Sequence, residues 1–98
     1  MAFKLLFDFR IHQDIEKSID YYIDKSPKAA SNFYNAINDA YDLLEVNPFF
    51  QIRYKDYRCL PIIDFPFMLH FSVNEKQKTV CIHALINTSK DPKVNWLK

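Results

Sequence analysis

The chain has 98 residues, of which 49% are hydrophobic and 16% aromatic, and its 13 Lys and Arg nearly balance 12 Asp and Glu, for a formal net charge of +1. Such a length makes one domain that buries roughly 60 to 70 per cent of the surface its unfolded form exposes, and the Phe and Tyr rings supply apolar area for one core without metal or disulfide. Gly is absent, against about seven at average usage, which excludes the P-loop, the dinucleotide fingerprint and the nucleophile elbow, all of which need φ > 0 or close backbone approach.

The first residues show no signal-peptide pattern, and no apolar run approaches the roughly 18 residues of a membrane span. A cytoplasmic protein with no membrane partner is expected. Cys59 and Cys81 lie in strand-like runs and lack the paired spacing of a metal or redox site, so both are expected to be thiols acting as small hydrophobes. No cluster of Cys, His, Asp and Glu has ligand spacing, so neither metal nor cofactor is expected. The charge is unevenly spread. Residues 1–50 carry five Lys/Arg and eight Asp/Glu, and residues 51–98 carry eight and four, so a basic second half is available to a polyanion or an acidic partner.

Phe3, Leu5, Phe7 and Phe9 alternate with Lys4, Leu6, Asp8 and Arg10, the period-2 signature of a strand with one buried face. From about Gln13 the period lengthens. Ile15, Ile19, Tyr22 and Ile23 fall on one face of an amphipathic helix, with Asp14 and Glu16 near its positive end. Ser26-Pro27 is a cap followed by a first-turn proline, and Ala30, Phe33, Ile37, Ala40, Tyr41 and Leu44 form the stripe of a second helix that Asn47-Pro48 ends. Two such helices joined by a short link make a hairpin whose apolar stripe needs a sheet to cover it.

Gln51–Tyr54 is expected as a short edge strand or as the start of a second strand running to Ile63. Tyr57–Val73 then reads as two neighbouring strands joined at Asp64-Phe65-Pro66, with Pro61 and Pro66 at a bulge, a strand end or an unpaired edge because neither donates to a ladder. Asn74–Gln77 is the expected hairpin turn, with Asn74 taking the left-handed conformation in place of Gly. Thr79–Ile86, apolar on both faces, reads as a central strand. The polar tail from Asn87 is expected to be a loop with a short anchor at Val94, Trp96 and Leu97. The fold class is α+β: an N-terminal strand, a helical hairpin and an antiparallel sheet of three further strands, in the order β-α-α-β-β-β, as one domain over 1–98.

Four groups of residues together carry a resemblance. They are Asp14-Ile15 with Tyr21-Tyr22; Ala29-Ala30 with Phe33 and Ile37; Tyr57-Arg58-Cys59-Leu60 followed by Phe65-Pro66-Phe67; and Ala84-Leu85-Ile86-Asn87-Thr88-Ser89-Lys90-Asp91-Pro92 with Trp96. The chain resembles the RelE/ParE superfamily of type II toxin–antitoxin toxins, which includes plasmid stabilisation proteins. The resemblance implies the same β-α-α-β-β-β fold and a cognate antitoxin as partner. It also implies one of two targets, DNA gyrase for ParE-like members or ribosome-bound mRNA for RelE-like ones.

Many relatives have His where this chain has Asn87 and Arg where it has Lys90. Asn87 cannot carry a proton, and Lys90 offers a point charge in place of a bidentate fork. For RNA cleavage, the resemblance implies Arg58 as phosphate clamp and Lys90 as second cation, with a tyrosine such as Tyr54 or Tyr57 near the scissile group. Arg53 and Lys55 would assist in binding, and Asn87 would stand at the site. Arg58 has an alternative as a strand-end residue pairing with Asp56 or Asp91. His70 and His83 are expected to be sheet residues with hydrogen-bonded rings. A toxin that binds gyrase needs no proton shuttle and is the expected function; a ribosome-dependent endoribonuclease and a non-toxic antitoxin-binding relative are the alternatives.

Overall fold

The computed structural model of the chain describes residues 2–50, 52–54 and 56–88, with 52–54 described by backbone alone. Its elements are β1 (Lys4–Phe7), α1 (Phe9–Lys25), α2 (Pro27–Val46), β2 (Ile52–Tyr54), β3 (Tyr57–Pro61), β4 (Phe67–Asn74) and β5 (Thr79–Asn87). The β-α-α-β-β-β order holds, with β2 added as a short edge strand between α2 and the last three strands. The tail expected to anchor through Val94, Trp96 and Leu97 lies outside the described residues.

The first strand is shorter than its alternation suggested, because Asp8 starts a helix. Asp8 is extended and its carboxylate accepts the Arg10 N–H at 2.9 Å, which satisfies an otherwise orphaned donor of the first turn. Phe9 therefore becomes the first helical residue and is 78% exposed; of the expected buried face only Phe3 is buried, while Leu5 is half-buried and Phe7 exposed. A single residue separates the helices. The Ser26 N–H donates to the Tyr22 carbonyl at 2.8 Å, ending α1, and its Oγ accepts the Ala29 N–H at 3.1 Å, starting α2 with Pro27 next in line. At the far end Asn47 donates to the Leu43 carbonyl and accepts the Phe49 N–H, and Pro48 stops the helix.

The five strands lie in the order β1-β5-β4-β3-β2. The β2–β3, β3–β4 and β4–β5 pairs are antiparallel, whereas β1 joins β5 in parallel, so the sheet is mixed. β5 is an interior strand, paired on both sides by β1 and β4, as its apolar content implied. The ladder between β4 and β5 shifts by one residue after His70–Ala84, leaving His83 unmatched. Pro61 ends β3 and Pro66 sits in the following turn, so neither is asked for a ladder hydrogen bond.

In the β4–β5 turn the left-handed residue is Lys78, at φ 56°, and not Asn74. Asn74 stays in the strand and its Oδ1 accepts the Gln77 N–H at 3.1 Å, bracing the turn from its start. The second left-handed residue is Asp64, at φ 70°, in the β3–β4 turn.

The hairpin covers one face of the sheet. Ala30, Phe33, Ile37, Ala40 and Leu44 of α2 are buried with Ile11 of α1 and with Leu60, Leu69, Phe71, Val80 and Ile82 of the sheet. Both cysteines are thiols, Cys59 buried and Cys81 half-buried. No helix among the described residues is long and apolar enough to cross a membrane.

Candidate functional site

Successive strand residues point to opposite faces, and that alternation distributes the chemistry of the sheet. Leu60 of β3 and Leu69 and Phe71 of β4 enter the core under the helices. Tyr57 pairs with Ser72 and Cys59 with His70, and Ser72 pairs in turn with Cys81. Tyr57, His70, Ser72, Cys81 and the bulged His83 therefore gather on the face away from the helices.

The Tyr57 ring lies 5.0 Å from the His70 ring and 5.2 Å, edge-on, from the His83 ring. Ser72 Oγ and His83 Nε2 share a hydrogen bond of 2.8 Å, and Cys81 Sγ lies 3.9 Å from His83 Nδ1. His83 is thus hydrogen-bonded as expected. His70 differs: its Nε2 is buried and has no hydrogen-bond partner among the described residues. A shallow depression of about 230 Å³ lined by Asp56, Tyr57, Ser72 and His83 opens beside the cluster.

Burial lowers the pKa of His70, and the neighbouring His83 and Arg10 lower it further. Burial also lowers that of His83, with Asp8 pulling in the other direction. Burial and Asp8 together push the Cys81 thiol up. Near neutral pH the face therefore presents two uncharged imidazoles, a phenol, a hydroxyl and a protonated thiol. These groups can exchange protons and hydrogen bonds, but a phosphate would find little positive charge in the cluster itself.

The lowered histidines have a consequence for stability. Their ordinary value is about 6.5, so below that pH the unfolded chain holds more protons than the folded one. Stability present above about pH 6.5 is lost as the pH falls through the lowered folded values. The urea midpoint is expected to drop between pH 7 and 5, and the drop to shrink in the double variant His70→Gln/His83→Gln. A wild-type midpoint that stays level over this range contradicts neutral, half-buried imidazoles.

Of the residues singled out from the sequence, the three whose side chains are described, Tyr57, Arg58 and Asn87, lie in three different places. Tyr57 belongs to the outer cluster. Arg58, one residue on, is on the opposite face, where its Nη1 donates to the Phe50 carbonyl at 2.6 Å and its guanidinium lies 5.4 Å from the Phe49 ring centre. It makes no ion pair with Asp56 among the described residues, and Asp91 lies outside them; it clamps the segment between α2 and β2. Asn87 ends β5 and lines a third place, a groove of about 460 Å³ between α1 and the β4–β5 end that also includes Asp14, Tyr21, Tyr22 and Phe67. Arg53 is placed in β2 by its backbone, and Lys55 and Lys90 lie outside the described residues.

His70, Ser72, Cys81 and His83 join Tyr57 in a cluster that the sequence did not announce. The period-2 rule could have put Tyr57, His70 and Ser72 on one face once the register was known. The bulge that brings His83 to them has no sequence signal. Among the described residues no group of three or more His, Cys, Asp and Glu is arranged to hold a metal ion.

No protein-family model matches the chain, and no curated protein matches it. Several solved structures are similar, among them two from toxin–antitoxin systems. One is from a chromosomal ParDE toxin–antitoxin system of P. aeruginosa, with a TM-score of 0.74 and 19% identity over 88% of this chain and 96% of that one. The other is from an archaeal RelE–RelB complex of Pyrococcus horikoshii OT3, with a TM-score of 0.57 and 18% identity over 92% and 99%. At these identities the likeness is one of fold, and it spans nearly the whole of both chains.

Proposed function

We propose, from a fold shared with components of the ParDE and RelE–RelB systems, that this protein is the toxin of a type II toxin–antitoxin pair. It works in the cytoplasm, is neutralised by a cognate antitoxin, and arrests growth by binding DNA gyrase. The likeness to both structures extends over 88% and 92% of this chain, which supports reading those residues as a toxin domain. The observation that carries the choice of gyrase is the separation of Arg58 from Tyr57. RNA cleavage by a 2′-hydroxyl needs proton carriers and cations around one phosphate, whereas here the guanidinium is held by the Phe50 carbonyl on the face opposite the phenol. Binding a protein target asks for no such convergence.

The alternative, cleavage of mRNA on the ribosome, is favoured by the outer-face cluster, where Tyr57 stands between two neutral imidazoles. In that case His70 or His83 would take over the proton transfer that Asn87 cannot perform. Lys90, with Arg53 and Lys55, would supply the cations.

The test is induced synthesis of the protein in a bacterial host lacking any antitoxin, following incorporation of labelled amino acids and DNA precursors over the first minutes. The expected result is an early halt of DNA synthesis that Tyr57→Phe and His70→Gln leave intact. An early halt of protein synthesis, relieved by about 10² or more in those variants, would replace gyrase with the ribosome. Unchecked growth with soluble protein present would leave only an antitoxin-binding relative. Arg58→Ala is a poor probe of either activity, because it also releases Phe50.

A further inference from the structure

A groove of about 320 Å³ runs between α2 and the β3–β4 turn, lined by the apolar Ala36, Leu43, Ile63 and Phe65 and by Asp39 and Asp64, both exposed. Its apolar side chains are unusually open to solvent. Leu43 is 49% exposed, Ile63 70% and, one turn beyond on the same side of α2, Val46 76%. Burying apolar surface is favourable in proportion to the area removed from water, so a partner that covers all three gains substantially.

Ile63 is held outward by a backbone that only Gly adopts at little cost. Asp64, which follows it, has φ 70°, and the turn is closed around it by the Ile62 N–H donating to the Phe67 carbonyl at 2.9 Å.

The charge around this strip has a single sign. From Ala29 to Val46 the helix contains no Lys or Arg, whereas Asp39 and Asp42 are both exposed beside Leu43. The last turn of α2 carries no basic residue to offset the negative end of the helix dipole. None of the residues lining the groove is a cation. The apolar positions Ala36, Leu43 and Val46 follow helical spacing over ten residues, about 15 Å at 1.5 Å per residue.

From the apolar strip and its unneutralised acidic residues we infer that this groove is the docking site for a cationic amphipathic helix of a partner protein. The partner's apolar face covers Leu43, Val46 and Ile63, and its Lys or Arg side chains reach Asp39, Asp42 and Asp64. The site lies on the helical side of the molecule, away from the Tyr57 cluster, and does not depend on whether gyrase or the ribosome is the target.

The test uses the full chain and a fluorescent 18-residue helical peptide with Leu at positions i, i+3, i+4 and i+7 and Lys elsewhere, with a Glu-for-Lys peptide as control. Binding is read by anisotropy and mapped by backbone amide shifts. The Lys peptide is expected to bind, to move the amides of Ala36, Leu43, Val46 and Ile63, and to bind at least about tenfold more weakly to Leu43→Ser/Ile63→Ser. Asp39→Lys/Asp42→Lys should lose the Lys peptide at low salt. The unfolding midpoints of these surface variants serve as the check on folding. Equal binding of the Glu peptide, amide shifts confined to the Tyr57 face, or unchanged affinity in the Leu43/Ile63 variant would each overturn the assignment. Amide shifts at the strip that depend on protein concentration alone would overturn it too, by making the strip a contact between copies.

Discussion

Replacing Phe33 with Ala is expected to remove about 3–5 kcal/mol of stability, the largest loss of any single substitution considered for this fold. Phe33 is fully buried. Its ring lies 4.9 Å from Tyr22, 5.0 Å from Phe65 and 5.1 Å from Phe67, so one side chain joins α1, α2, the β3–β4 turn and β4. The Ala variant leaves a cavity among three rings that are themselves braced against one another, Tyr22 being 5.2 Å edge-on from Phe65, and collapse can fill little of it. Against the roughly 5–15 kcal/mol total of a small domain, such a loss brings the protein close to unfolding at 37 °C. Urea denaturation measures it directly, and Phe33→Leu, which refills most of the volume, should lose much less. A loss below about 1 kcal/mol in Phe33→Ala would mean that the four rings do not form the centre of the core.

The second large effect is expected at Asp14, on α1. β1 pairs with β5 only as far as Phe7 and Ile82. Beyond that point the Leu85 N–H donates to Asp14 Oδ2 at 3.1 Å, so a helix side chain supplies the acceptor that the finished strand no longer offers. Hydrogen bonds to charged groups contribute about 1.5–3 kcal/mol, and their removal leaves a part-buried donor unsatisfied. Asp14→Ala should therefore cost about 2 kcal/mol. Asp14→Asn keeps an acceptor oxygen and should cost less. Arg10 also approaches Asp14, at 3.8 Å, but it is mostly exposed, and Arg10→Ala should cost well under 1 kcal/mol. Equal losses in Asp14→Ala and Arg10→Ala would show that the ion pair, and not the link to β5, is what Asp14 provides. The same contact fixes the wall of the groove in which Asn87 lies.

The boundaries that could be read from the sequence are those set by neighbours in the chain. Ser26-Pro27 and Asn47-Pro48 act through their own backbone groups, and the helix limits fell where those residues said. Asp8 acts in the same local way, but its signal was masked by an apolar alternation that continued through Phe9 into the first helical turn. Propensity alone favours Asn74 for the left-handed position in the β4–β5 turn. In the fold, Asn74 is committed to β4 by its pairing with Thr79, and the reversal passes to Lys78.

The candidate site was less accessible because it depends on long-range register. Tyr57 and Arg58 are adjacent in sequence and for that very reason on opposite faces, a conclusion the period of a strand could have supplied. The approach of His83 to Ser72 follows from a one-residue shift in the β4–β5 ladder, and nothing in either strand taken alone specifies it.

The parallel pairing of the first strand with β5 also bears on how the protein comes into being. Lys4 is matched with Thr79, so β1 is synthesised early and then waits, through both helices and three other strands, for the strand it must lie beside. Such distant closure slows folding and leaves partial structures exposed. The hairpin of α1 and α2 can assemble from local signals, but its buried stripe has no complete sheet to cover until β5 has left the ribosome. A growing chain therefore cannot present the finished sheet, or any surface built on it, until β5 is in place.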